Sequence, residues 1–395
     1  MLTVFQSIIV YGLMVWVMTH FGKIAYKTQY PRGIGGVDMY QNRKVPFSTL
    51  LTKSYYLIPI FVFCFFAAIR FKVGVDCESY KVGFYELVQF RSVIHGASEP
   101  GFIAISRIVA ATTGSHYLLF FILAFLQISF LYYAVRKNNL ATIYLGLSIM
   151  LSGTFFSLMN GMRQNIAACI LVAAIPLILE KKNWIWFIAL AFLAASMHKS
   201  AYLFIPIGIL SYFLLKKGIL NIYLQLAIIA VCYLLMDKIE LSFLDVLFSY
   251  GEHAGYDSAA IENYTEYVPM TKNFGFSSWL LLLTQIVCII YSKRMQALNS
   301  DKVFNIIYNL FFIGVCIKLL LYNNFTIGRL NYYFIIFYPV VLSIALFVMS
   351  CSKKKIDRQI FAVTILLLVA SFSYNLYKAM GETLEFTLYK FDLFN

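Results

Sequence analysis

Apolar runs follow one another from Leu2 to Tyr374, and nearly all charged residues lie in the stretches between them. No soluble core can absorb so many. A soluble domain is about 25% charged, whereas this 395-residue chain is 13% charged and 61% hydrophobic, with a mean hydropathy of +0.77. Strands of a membrane barrel would alternate polar and apolar residues over segments of about 10 residues, and no such alternation is present. The fold class is therefore an all-α polytopic integral membrane protein.

The runs Leu2–Phe21, Ser54–Ile69, His116–Val135, Leu140–Leu158, Asn165–Leu179 and Trp184–Met197 read as spans. So do Ala201–Leu215, Leu220–Met236, Trp279–Tyr291, Val303–Leu321, Leu330–Met349 and Ile360–Tyr374. The count is about twelve transmembrane helices, with both termini outside and an amphipathic tail. Phe102–Thr113 is too short to cross a hydrocarbon core of about 30 Å and reads as a re-entrant or interfacial helix. Residues 1–395 then form one membrane domain, with outer loops 70–115 and 237–277 and a basic cytoplasmic loop 22–53. No repeat of two halves is visible, which speaks against an inverted-repeat transporter.

The net charge of +14 is a matter of topology. Under this assignment 19 of the 32 Lys and Arg residues fall on one face, with only Asp38, Glu180, Asp301 and Asp357 against them. That face is cytoplasmic by the positive-inside rule, and a nucleic-acid partner is not indicated. The first 21 residues lack a basic leader and a small-residue cleavage site, so they read as an uncleaved span. The seven cysteines show no paired spacing and imply no disulfide framework.

Between Met159 and Ala201 two short apolar segments are joined by the basic turn Glu180–Asn183. A helix of about 15 residues is about 22 Å long, less than the core thickness. With Lys181 and Lys182 at one surface, Arg163 and the pair His198-Lys199 stop slightly inside the other, where charge is costly and usually functional. Arg329 sits at a further short turn on that side, and Arg70, Asp76, Glu78, Tyr80, Glu99 and Arg107 also map there. Several cations beside short turns suit a polyanion, and a lipid-linked phosphate or diphosphate is the one at hand.

Simpler readings stand beside these. A lone arginine can be an interfacial anchor, which is the reading kept for Arg107. His198-Lys199 can be a helix cap with an interfacial lysine, or a phosphate ligand and proton acceptor. Asp76 and Glu99 can be general bases for a sugar hydroxyl, or partners of structural ion pairs. The acidic, tyrosine-containing loop 237–277 suits carbohydrate or is simply solvated. Lys318, inside a span, is weak support for ion coupling. Walker, dinucleotide-binding and zinc-protease motifs are missing from the sequence.

The segments AIRFKVGVDCESY, EPGF, GMRQNIAACILVAA, FLAASMHKSA and IGR, in this order, resemble the EpsG family of Wzy-like proteins. The family's aromatic residue after the G-x-D aspartate is Cys77 here. The resemblance implies a GT-C-like polysaccharide polymerase of the bacterial inner membrane, active at its outer face without a cofactor or metal. It would join undecaprenyl-diphosphate-linked oligosaccharide units, with a chain-length regulator and a flippase as partners beside membrane lipid. The expected catalytic residues are Asp76, Arg163, His198 and Glu99; the expected substrate-binding residues are Arg70, Tyr80, Gln164, Asn165, Lys199 and Arg329. A flippase of the same lipid, or a ligase or single-sugar transferase using the same carrier, remains the alternative.

Overall fold

Backbone polar groups in hydrocarbon must be satisfied within the protein, so apolar runs of this kind become helices. The computed structural model describes residues 2–29, 52–90, 98–135, 139–179, 184–236, 274–299, 302–322, 328–379 and 387–391. Helix α1 (Leu2–Gln29) is followed by α2 (Ser54–Ala68), strand β1 (Arg70–Phe71), α3 (Cys77–Phe90), α4 (Pro100–Thr112) and α5 (His116–Val135). Three short helices come next: α6 (Asn139–Thr142), α7 (Leu145–Leu151) and α8 (Thr154–Met159). Then α9 (Met162–Leu179) and α10 (Trp184–Met197) precede a 3-10 turn (Lys199–Leu203), α11 (Phe204–Leu214) and α12 (Ile222–Leu234). The chain continues with α13 (Phe276–Ile290), α14 (Ser292–Leu298), α15 (Lys302–Leu320) and a second 3-10 turn (Arg329–Asn331). It closes with α16 (Tyr332–Ile335), α17 (Tyr338–Ser350), α18 (Lys355–Ala379) and β2 (Lys390–Phe391).

Five helical segments among the described residues are long and apolar enough to cross a membrane, and α13 with α14, bent by 51°, makes a sixth. Seven shorter apolar helices accompany them. Large apolar side chains such as Phe5, Trp16, Trp186 and Leu366 point outward, as a lipid-facing surface requires. The chain is an all-α membrane protein.

Helix α9 is the axis of the bundle. It packs against α5 and α10, and every residue from Gln164 to Pro176 is buried. Ala167, Ala168, Cys169, Ala173 and Ala174 allow the neighbours a close approach, because small side chains let helix backbones come together.

Contacts separate two ends of the bundle. At one, Tyr26 packs on Phe347, Arg294 pairs with Asp357 at 2.7 Å, and Asn305 donates to the Lys216 carbonyl at 3.1 Å. The basic positions Lys216, Lys293, Arg294 and Lys354 thus belong to that end. At the other, the Tyr389 hydroxyl donates to the Phe66 carbonyl at 2.6 Å, and its backbone N–H to Ser7 Oγ at 2.7 Å. There β1 pairs antiparallel with β2, Arg70 opposite Phe391. The tail is thereby tied to α1 and α2. A pairing two residues long between positions so distant leaves no sequence signal.

Two segments depart from the sequence reading. Helix α1 runs through Gly22 to Gln29 where a loop was expected. Gly22 is a contact glycine, since a Cβ there would lie 2.6 Å from the Thr142 carbonyl oxygen. Leu140–Leu158 is three helical pieces, not one span, broken at Gly153, whose φ is +78°. Irregular backbone at membrane depth is tolerated where it is buried or lines a cavity, and Ser152, Gly153 and Thr154 do line one. Leu330–Met349 agrees with the reading: α16 and α17, with the 3-10 turn before them, form one apolar segment, Arg329–Ser350, long enough to cross. The basic loop beyond Gln29, Arg136-Lys137, the turn Glu180–Asn183, the loop from Asp237 to Asn273 and residues 323–327 lie outside the described residues.

Candidate active site

The site is built on the turn that starts α9. Asn160 is extended and Gly161 has φ +51°, a conformation that side chains with a Cβ adopt at a cost. Asn165, 1% exposed, holds the turn with its side-chain amide, donating to the carbonyls of Ser157 (2.6 Å), Asn160 (3.0 Å) and Gly161 (3.2 Å). From the other side Asp76 clasps it: Oδ2 accepts the Gly161 N–H at 2.9 Å, and the Asp76 N–H donates to Asn160 Oδ1 at 3.2 Å. Gly74, at φ +89°, allows this approach, since a Cβ there would lie 2.6 Å from the Met159 carbonyl oxygen.

The consecutive residues Arg163, Gln164 and Asn165 do three different jobs. Asn165 fixes the turn. Gln164 donates to the Arg329 carbonyl at 3.0 Å and so joins the second 3-10 turn to α9. Arg163 turns the other way, its Nη1 2.7 Å from Glu99 Oε2. Its guanidinium lies against the rings of Phe102 (5.4 Å) and Tyr80 (5.9 Å), and the Tyr80 hydroxyl accepts the Arg163 backbone N–H at 3.4 Å.

Glu99 is 4% exposed and immediately precedes α4, with Pro100 at the first helical position. Pro is preorganised there, and its missing N–H is one the helix leaves unbonded anyway. Gly101 lets α4 rest on the end of α10, because a Cβ would meet the Ser196 carbonyl oxygen at 2.9 Å. This packing brings the Glu99 region beside His198.

His198 lies in the turn after α10. Its Nδ1 accepts the Ser200 N–H at 3.3 Å and is 2.7 Å from Ser200 Oγ, which is 2.8 Å from the Tyr333 hydroxyl. A ring whose Nδ1 accepts carries its proton on Nε2 when neutral, so His198 is set to donate rather than to act as a base. Burial pushes its pKa down to about 4; the Glu99 carboxylate opposes this, and Arg163 and Arg329 add to it.

A cavity of about 580 Å³ lies at the same end of the bundle. Arg329 and Lys318 line it together with Ser152, Thr154, Asn160 and Tyr332, and no carboxylate among the described residues does. Arg329 therefore belongs to both regions, lining the cavity and acting electrostatically on His198.

Of the residues singled out in the sequence, Tyr80, Glu99, Arg163, Gln164, His198 and Arg329 come together. Asp76 and Asn165 shape the turn beneath Arg163. Lys199 opens its 3-10 turn beside His198. Arg70 stands apart. It is 1% exposed, donates to the carbonyls of Val73 (3.1 Å) and Ala67, and lies 4.4 Å over the Phe120 ring. Its guanidinium is spent inside the protein. Arg107 is exposed on α4, and Cys77 is buried, 3% exposed, at the start of α3. Asn160 and Tyr333 were not anticipated; the dipeptide Asn160-Gly161, a turn signal beside the arginine, could have pointed to the first. Among the described residues no three His, Cys, Asp or Glu side chains are grouped to hold a metal ion.

No curated protein and no solved structure matches the chain. The EpsG family model matches residues 53–391, which takes in every segment of the site from Arg70 to Arg329, and the chain belongs to the EpsG family.

Proposed function

We propose that this protein is a polysaccharide polymerase that joins undecaprenyl-diphosphate-linked oligosaccharide units at the outer face of the bacterial inner membrane. Membership of the EpsG family points to an activity of the exopolysaccharide- or O-antigen-polymerase kind. The observation that carries the finer reading is the pair of a buried Glu99 and a half-buried Arg163, with His198 and Arg329 beside it. This group of charges lies at the bundle end opposite the basic positions Lys216, Lys293 and Arg294. By the positive-inside rule those lysines and arginines face the cytoplasm, so the site faces outward. We read the five or six long segments and the shorter apolar helices as about twelve crossings in a GT-C-like arrangement. Helix α4, about 20 Å long, is then a re-entrant or interfacial element.

In the reaction, the bond from the donor's anomeric carbon to its lipid diphosphate breaks, and the diphosphate leaves with the electron pair. The acceptor sugar's hydroxyl oxygen forms the new bond and gives up its proton to a carboxylate. Asp76 takes that part: it follows the cavity-lining Gly74 and Val75 and is bonded to the cavity-lining Asn160. Glu99, fixed by Arg163, is its substitute. Arg163, Lys199 and Arg329 stabilise the departing charge, as preorganised donors do best in a water-poor site. His198 donates from Nε2 to a sugar or phosphate oxygen. Arg70, whose donors are occupied, supports the fold beneath. A chain-length regulator and a flippase are the partners this reading implies.

The test uses purified protein in detergent with a synthetic undecaprenyl-diphosphate repeat unit and no nucleotide sugar. A ladder of repeat multiples supports a polymerase. A single addition only would make it a transferase, and faster lipid crossing in vesicles without a ladder would make it a flippase.

A further inference from the structure

Lys318 lies in the last turn of α15, two residues from its end. A lysine so close to a helix end commonly reaches for the headgroups. This one lines the interior cavity instead. Among the described residues it makes no hydrogen bond and no ion pair. An ammonium held inside a membrane bundle without an anion is unfavourable, and such residues mark binding sites or ion paths. An ion path would be expected to supply a carboxylate nearby, yet the described cavity lining contains none.

The cavity's other charged lining residue among those described is Arg329. Two basic side chains on one cavity wall suit a diphosphate diester, which has one ionised oxygen on each phosphate. The lining adds neutral groups suited to phosphate oxygens, such as Ser277, Ser278 and Asn375. Arg163, by contrast, already has its charge offset by Glu99 at 2.7 Å.

We infer that Lys318, with Arg329, binds the diphosphate of a polyprenyl-linked substrate inside this cavity. Arg163 and Glu99 then act at the end of the diphosphate that carries the sugar, where the bond breaks. The inference rests on the proposed function and adds to it a binding residue and a location for the diphosphate.

The experiment measures binding of radiolabelled undecaprenyl diphosphate to the full chain in detergent with neutral lipid. It compares the wild type with Lys318→Met and Lys318→Arg, each with phosphatidylglycerol as competitor. Lys318→Met should weaken binding by about tenfold or more, the effect of one charged hydrogen bond, and Lys318→Arg should largely restore it. Lys318→Met should also unfold no earlier than the wild type without ligand, because it removes a cation from the cavity wall that lacks an ion-pair partner among the described residues. Equal binding by the wild type and Lys318→Met would overturn the inference and leave the polymerase reading intact. Equally effective competition by phosphatidylglycerol would overturn it too, by making the site a general anion site. No binding by the wild type, together with no ladder from the repeat unit, would overturn the polymerase reading itself.

Discussion

The Glu99–Arg163 pair is the best place to test whether the cluster is a working site or a structural clamp. The two side chains are 5% and 22% exposed and 2.7 Å apart. With charge centres about 4 Å apart and an effective dielectric of about 20, their attraction is about 4 kcal/mol. Desolvation offsets most of that, but removing one partner strands the other, which for fully buried pairs costs about 3–5 kcal/mol. Arg163 is partly exposed, so about 2–3 kcal/mol is the fitting range for the more damaging single variant. Arg163→Met leaves the buried carboxylate alone and should be that variant. Glu99→Gln keeps the shape and an acceptor and should cost less, about 1–2 kcal/mol. The double variant strands no charge and should be more stable than Arg163→Met, with a coupling of about 1–2 kcal/mol in unfolding from mixed micelles. Recovery of stability should not bring recovery of activity. All three should fail to form a ladder, whereas Arg107→Ala, altered at an exposed position, should form it normally. Polymer of normal length from Arg163→Met, or single-variant costs that simply add, would refute the reasoning.

Three further outcomes follow from the geometry. Gly161→Ala meets only backbone strain, because φ is +51° and the nearest atom to a Cβ is 3.7 Å away; it should cost about 1–2 kcal/mol in the same unfolding assay. Gly74→Ala adds a clash with the Met159 carbonyl oxygen and should cost more; equal costs would contradict the close approach. Asn165→Ala withdraws one amide from three carbonyls and should destabilise by about 2–3 kcal/mol, while Asn299→Ala, at the opposite end, should cost less. For His198, the folded pKa of about 4 lies below the ordinary 6.5. Between these values the unfolded chain binds the extra proton, so stability falls as pH drops from about 6.5 toward 4. Melting temperatures of His198→Gln should decline less over that window than those of the wild type; parallel declines would show that the ring does not titrate as its surroundings dictate.

Much of this was legible in the residues themselves. Apolar runs in a chain with 13% charged residues leave no alternative to membrane helices. The brevity of the two segments around Glu180–Asn183 is enough to place Arg163 and His198 just inside one surface. Positions were harder to read. Glycine illustrates why: Gly22 opens the loop 22–53 in the sequence reading but is a contact surface within α1, while Gly153, inside a run that reads as one span, separates two helices beside the cavity. A glycine's role depends on what packs against it, and that partner, Thr142 in the first case, is remote in sequence.

The sequence by itself determined the class of molecule, the two unequal ends and the small set of polar residues worth attention, because hydropathy and charge are local properties. The tertiary structure decided which of those residues meet. It buried Arg70 under backbone carbonyls, joined Glu99 to Arg163 across 64 positions of chain, and lined a cavity with Lys318. Such pairings are set by how helices pack, and packing depends on side chains from many segments at once.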